Sequence, residues 1–375
     1  ILTACSSDDN NDNDGNGGNG NGNEIENGTI LKGTITSDVT LAAGNTYKLS
    51  GEYIVEEGAT LHIEEGVKII AVYDDIADYI LVKQGGKINA VGTPDKPIVM
   101  TSEKEEPGAW GGIHICGRAH TNAEGGKGSS EIGGAVYGGN DDADNSGTLQ
   151  YIRLEYTGFA FDEEHEANGI SFYGVGNGTI VDHCQAYKGS DDGFEFFGGS
   201  VNVSNLVAVS CSDDSFDWTE GWNGKGTNLV AYQEAESTLG YDCDCLMECD
   251  NNGSNNAATP VAHPVLKNLI LVGNGGSKQG IRLRAGTEVE IDNAKVCGKG
   301  QPLTVETALT ENALKNGTSK LTNITLTSEL SSKEGIYTHA DFIAVTSNKV
   351  DANLSYSSFE DIRKECSWMN GSWVK

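Results

Sequence analysis

Apolar residues in this chain come in short runs that alternate with polar ones and are separated by Gly, Asn and Asp. Gly169-Ile170-Ser171-Phe172-Tyr173-Gly174 returns as Gly193-Phe194-Glu195-Phe196-Phe197-Gly198. Asn205-Leu206-Val207-Ala208-Val209 returns as Asn228-Leu229-Val230-Ala231-Tyr232, and again as Asn268-Leu269-Ile270-Leu271-Val272. Upstream, Gly58-Ala59-Thr60-Leu61-His62-Ile63 is echoed by Gly85-Gly86-Lys87-Ile88-Asn89-Ala90. Alternation within each run predicts strands. The spacing of about two dozen residues is too long for a hairpin and matches one turn of a solenoid. The fold class expected is therefore all-β, a right-handed parallel β-helix over residues 29–300. A β-sandwich array would need turn signals every 8–12 residues or so; a few exist, such as Asn177-Gly178, but the long period accounts for more.

One coil cannot bury its own inward Val, Ile, Leu and Phe. Stacking coils about 4.8 Å apart buries them continuously, and roughly twelve coils make a rod of about 55 Å. Gly and Asn suit the corners because they tolerate positive φ. Residues 301–375 lose the period and are assigned to a C-terminal continuation and cap. A short helix is expected within 303–316. The aromatic end, Cys366-Ser367-Trp368-Met369-Asn370-Gly371-Ser372-Trp373, is expected to form a C-terminal cap over the open strands.

The formal net charge is -30. That balance lacks the basic footprint nucleic acid requires and fits an exported protein that handles divalent cations. Ile1-Leu2-Thr3-Ala4-Cys5 matches the end of a bacterial lipoprotein signal, with Cys5 as the lipidated residue. The Ser/Asp/Asn/Gly stretch after it reads as a flexible tether, so residues 1–28 are assigned to anchor and linker. Ser6-Ser7-Asp8-Asp9 resembles an export signal for surface lipoproteins, which places the protein on the extracellular side of the bacterial outer membrane, held by lipid alone. The other eight cysteines, Cys116, Cys184, Cys211, Cys243, Cys245, Cys249, Cys297 and Cys366, are an even number and suggest disulfides. Cys243 to Cys249 lacks zinc-site spacing and has no nearby His.

Several stretches resemble a family of bacterial surface and secreted proteins with a pectate-lyase-like β-helix, also called the pectin-lyase-like solenoid. They are Val91-Gly92-Thr93-Pro94-Asp95-Lys96-Pro97-Ile98, Gly108-Ala109-Trp110-Gly111-Gly112-Ile113, Gly147-Thr148-Leu149-Gln150-Tyr151-Ile152, and Asp191-Asp192-Gly193-Phe194-Glu195-Phe196. The resemblance implies fold and location. It implies no particular activity, and the Cys243 to Cys249 cluster departs from the family pattern.

Candidate chemistry concentrates in two echoing triplets, Ser190-Asp191-Asp192 and Ser212-Asp213-Asp214, set 22 residues apart. One coil per period puts Asp191 beside Asp213, Asp192 beside Asp214 and Glu195 beside Asp217, with Glu220, Asp242, Asp244, Glu248 and Asp250 following. Stacked carboxylates repel, and Ca2+ is the hard cation that relieves them; no organic cofactor is expected. Asp-rich turns without metal give the same pattern. Trp218, Trp222 and Glu220 are candidates for ligand contact. The function expected is binding of extracellular glycan or another surface component, without catalysis. The alternative is a hydrolase or lyase on anionic polysaccharide using Asp191, Asp192, Asp213 and Asp214, with Arg282 for an acidic sugar.

Overall fold

The computed structural model describes residues 23–375. Twenty-five strands form one continuous sheet, and its ladders are parallel, as in Phe194–Phe197 on Phe216–Thr219. Parallel strands one coil apart, joined by corners, are the expected β-helix.

Each coil carries three strand segments. In mid-chain the first two run together as one eight-residue strand, as in Ile180–Tyr187, Asn202–Val209 and Lys225–Tyr232. A residue of positive φ bends each such strand: His183, Asn205, Asn228, Asn268, Asn293 and Asn323 occupy equivalent places, with φ between 52° and 64°. Asn suits this corner because its short amide tolerates that backbone and bonds its neighbour one coil away. Asn228 donates to Asn205 at 2.9 Å, Asn268 to Asn228 at 3.1 Å and Asn293 to Asn268 at 2.8 Å. The third segment is the row Ile170–Tyr173, Phe194–Phe197, Phe216–Thr219 and Met247–Asp250. Gly193 precedes one of these strands because a Cβ there would lie 2.6 Å from the Ser215 carbonyl of the next coil.

The interior is one core running from Leu31 to Phe342. Its aromatics stack coil on coil: Phe172 on Phe196 at 4.9 Å, and Phe194 on Phe216 at 5.6 Å between ring centroids. Two outer faces are also covered. Ile132 and Tyr137, from a long loop, lie over Leu81, Cys116, Tyr173 and Phe197 on the third row. The C-terminal segment lies over Val207, Val209, Val230 and Val272 on the second.

Some expectations need correction, and one falls outside the described residues. Cys5 and the lipidation assigned to it lie outside. The sheet begins before residue 29, because Asn23–Ile25 already pairs with Val39–Leu41 and Ile25 packs against the core. The continuation expected beyond residue 300 is part of the same stack: Gln301–Val305 lies on Gln279–Arg284 and Lys320–Leu326 on Glu290–Cys297. The period is hidden there because the helix Ala308–Lys315 lengthens the coil. The aromatic end does not sit over the open strands. It runs back along the side of the rod, where Ser372 N–H donates to the Pro94 carbonyl and Trp373 is fully buried.

The eight cysteines expected to bridge are all buried free thiols. They fill small apolar slots: Cys184 stacks between Ile152 and Leu206, and Cys249 between Trp218 and Leu283. Burial pushes the Cys116 and Cys211 thiols up to about 12, which keeps them protonated and unreactive.

Candidate functional site

The outward positions of the third row form a column. Ser171, Glu195, Asp217, Glu248 and Arg282 are paired in register from coil to coil. The inward residues between them, Phe194, Phe196, Phe216 and Trp218, fix the parity, since a strand alternates faces. The corner just before the row supplies Asp191, Asp192, Asp213 and Asp214. Carboxylate oxygens of Asp191, Asp192 and Asp213 lie within 4.8 Å of one another, as do those of Asp192, Glu195 and Asp217, and those of Asp214, Asp217 and Glu248. The stacking expected from the 22-residue echo is present. Asp192 accepts from the Asp214 N–H at 2.9 Å, and Asp214 from the Cys245 N–H at 2.8 Å.

The two ends of the column differ in charge. Downstream, Arg282 bonds Glu248 at 3.1 Å and Glu306 at 3.2 Å, and Arg284 bonds Asp250 at 2.8 Å and Glu248 at 3.1 Å. Arg282 is thus held between two glutamates rather than offered to an acidic sugar, which removes the reason for assigning it to one. Upstream, among the described residues, none of Asp191, Asp192, Glu195, Asp213, Asp214 and Asp217 forms an ion pair; Lys278 reaches only Asp244, at 3.1 Å.

Burial and mutual repulsion make these carboxyls hold protons. Asp191 is pushed up to about 8, by burial first and then by the charges of Asp213 and Glu166. Asp192, Glu195, Asp214 and Asp217 are raised well above the ordinary carboxyl range, again by burial first and then by neighbouring acids. The downstream Glu248 is raised by burial, opposed by Arg284 and Arg282.

The preceding coil and loops outside the repeat complete the groove. Asn168, fully buried, donates to Glu195 at 2.6 Å and to Ser171 at 2.9 Å, while its Oδ1 has no partner. Ser215 Oγ is likewise buried without one. Glu131 is pushed up to about 7, mainly by burial. Periodicity cannot find Glu131 or Glu166, because they belong to insertions; Asn168, one residue before the repeated Gly169, holds the coil place of Asp192 and is readable from the echo. The donor set fits a hard cation: clustered carboxylate oxygens and an unpartnered amide oxygen beside Glu195.

The proposed contact residues Trp218 and Trp222 are not at this surface. Both are 1% exposed and lie in the core, where Trp222 stacks on Phe196 at 4.0 Å. Glu220 is taken up by the long loop, accepting from Thr121 at 2.7 Å and from Tyr137 at 2.8 Å. None of the three is available to a ligand as expected.

A family model described as a pectate-lyase like beta helix domain matches residues 33–374. Among solved structures, the Dettilon tailspike protein is similar at 8% identity and a TM-score of 0.30, with 80% of this chain and 56% of that one covered. The chain therefore spans little more than half the length of that protein. No curated protein matches the chain.

Proposed function

The chain belongs to the pectate-lyase-like β-helix family, and from that premise we propose that it is a lipid-anchored bacterial surface protein that binds extracellular glycan in the acidic groove, through Ca2+, without cleaving it. The carrying observation is the upstream group of six carboxylates with no ion-pair partner among the described residues. Once ionised, that group repels a carboxylated sugar unless a cation lies between them, and Ca2+ takes roughly six to eight oxygens from both sides. Asp191, Asp192, Glu195, Asp213, Asp214 and Asp217 would hold the ion, which supplies a positive centre for an anionic or hydroxyl-rich ligand. Tether and lipidated Cys5 would place the groove outside the cell.

One observation favours the catalytic alternative. Asp191 keeps its proton to about pH 8 beside Asp213, and an acid next to a second carboxyl is the pairing glycoside hydrolysis uses. The test is retention on immobilised polygalacturonate and alginate with Ca2+ or with EDTA, together with assays for new reducing ends and for unsaturated uronate. Ca2+-dependent retention without product supports binding. Product lost in Asp191→Asn assigns catalysis, and no retention under any condition removes the glycan reading.

A further inference from the structure

We infer that the gap between the C-terminal segment and the second strand row is a binding site for a neutral saccharide, separate from the acidic groove and independent of metal. The gap has a volume of about 390 Å³ and is lined by Trp368 and Glu365 from the C-terminal segment and by Asn228, Asn268, Asn293 and Lys295 from the stack. That volume is at the small end of the range for ligand sites, about 300–1,000 Å³, and suits one or two sugar rings.

The chemistry of the lining selects the ligand. Of the five tryptophans, Trp110, Trp218, Trp222 and Trp373 are buried to 1% exposure or less. Trp368 alone is half-buried, with its indole in the wall of the gap. An indole face packs against the C–H face of a pyranose. Opposite it stands the amide ladder. Each Asn carries two N–H donors and two acceptor lone pairs, and the ladder uses one of each per link. The ladder also stops at this gap. Asn293 donates to Asn268 at 2.8 Å, but the next coil's Asn323 bonds Asp292 at 2.6 Å instead. Among the described residues no donor reaches Asn293 Oδ1. The successive rungs recur at the coil repeat of about 4.8 Å, a distance that spans hydroxyls on one sugar ring.

Charge excludes the other ligand classes. Lys295 and Glu365 pair with each other at 3.1 Å, so the gap offers no net charge to an ion. Its donors are amides, which metals of the hard divalent class take only as supplements to carboxylates.

The experiment follows Trp emission of the full chain in EDTA while cellotriose, maltotriose, mannotriose, xylotriose and chitotriose are added in turn. At least one is expected to shift the emission saturably in the millimolar range. Trp368→Leu, which keeps apolar cover for the segment, should abolish binding, read by titration calorimetry because the substitution also removes the emitting ring. Asn293→Ala should weaken binding about tenfold by removing the unpaired rung. Asp217→Asn, in the acidic groove, should leave it unchanged, so this site can stand if the groove reading fails, and the reverse. No shift with any trisaccharide, or an unchanged midpoint in Trp368→Leu, overturns the inference.

Discussion

Glu195 lies directly opposite Asp217 on the neighbouring parallel strand, and Asp192 approaches both, so that three carboxylate oxygens fall within 4.8 Å. Charges at such a separation repel by about 1 kcal/mol in water and by several times that where solvent is partly excluded. The fold tolerates the arrangement because the row is a by-product of coil stacking. Phe194 and Phe196 lie inward and are held by the core, so the residues between them must face out together. The repulsion is relieved by protons or by a cation, and these two remedies separate experimentally.

Millimolar Ca2+ is expected to raise the melting temperature by several degrees over the EDTA-treated protein. A ligand present at about a hundred times its Kd adds about 2.7 kcal/mol. Asp217→Asn removes one charge and one donor. It should melt higher than the parent in EDTA and lose most of the Ca2+ response. Differential scanning calorimetry with and without Ca2+ checks both signs, and an identical Ca2+ response in the two proteins contradicts the assignment.

Protonation gives an opposite dependence to that of ordinary paired acids. A carboxyl whose pKa is higher in the folded chain holds its proton more tightly there. Its stabilising effect is complete below the ordinary carboxyl range and is lost as pH rises through the folded value. Asp191 is raised to about 8 and Asp78 to about 7, each chiefly by burial. In EDTA, stability should therefore fall between about pH 4 and pH 8. Asp78 lies outside the groove, with Oδ1 accepting from Gly51 N–H at 2.6 Å and Oδ2 unpartnered. Asp78→Asn should make the decline shallower without altering the Ca2+ response. Melting curves at successive pH values test this, and a stability that climbs over that window would refute it.

The Asn corner gives a prediction about the scaffold. Asn268 has a φ of 61° and makes ladder bonds to both Asn228 and Asn293. Asn268→Ala loses both bonds and leaves in the left-handed region a side chain without the amide that eases that backbone, for about 2–4 kcal/mol in all. Asn268→Gly keeps the backbone freedom and should recover about 1 kcal/mol of that. Urea unfolding of the three proteins measures the split, and equal losses in Ala and Gly would mean that backbone strain plays no part.

The solenoid and the acid column were both readable from residues, because in a parallel β-helix sequence period and ladder register are the same quantity. Phe194-Glu195-Phe196 and Phe216-Asp217-Trp218 are 22 residues apart and pair residue for residue. The same echo contains the answer to the tryptophan error. Trp218 occupies the place of Phe196, an inward residue, so its parity assigned it to the core. What no period reveals is contact made by insertions. The C-terminal segment lies along the rod because Val207, Val209 and Val230 leave an apolar strip outside it, whereas Asn168, which donates to Glu195, stands at the coil place of Asp192 and follows from the same period. The cysteines misled because an even count says nothing about whether two thiols share a coil edge.

Trp222 separates the surface reading of the aromatics from the core one. Its ring stacks on Phe196 at 4.0 Å, and its Nε1 donates to the Val201 carbonyl at 3.0 Å. Trp222→Ala opens a cavity beneath the acid column and leaves a buried carbonyl unpaired, and should cost about 3–5 kcal/mol. Trp222→Phe refills most of the space and should cost less. Ligand retention by the folded fraction of either variant should match the parent, because no atom of this ring reaches the groove surface. Urea unfolding paired with glycan retention reads both quantities from one preparation. A Trp222→Ala protein of parental stability with lost retention would return the ring to the binding surface.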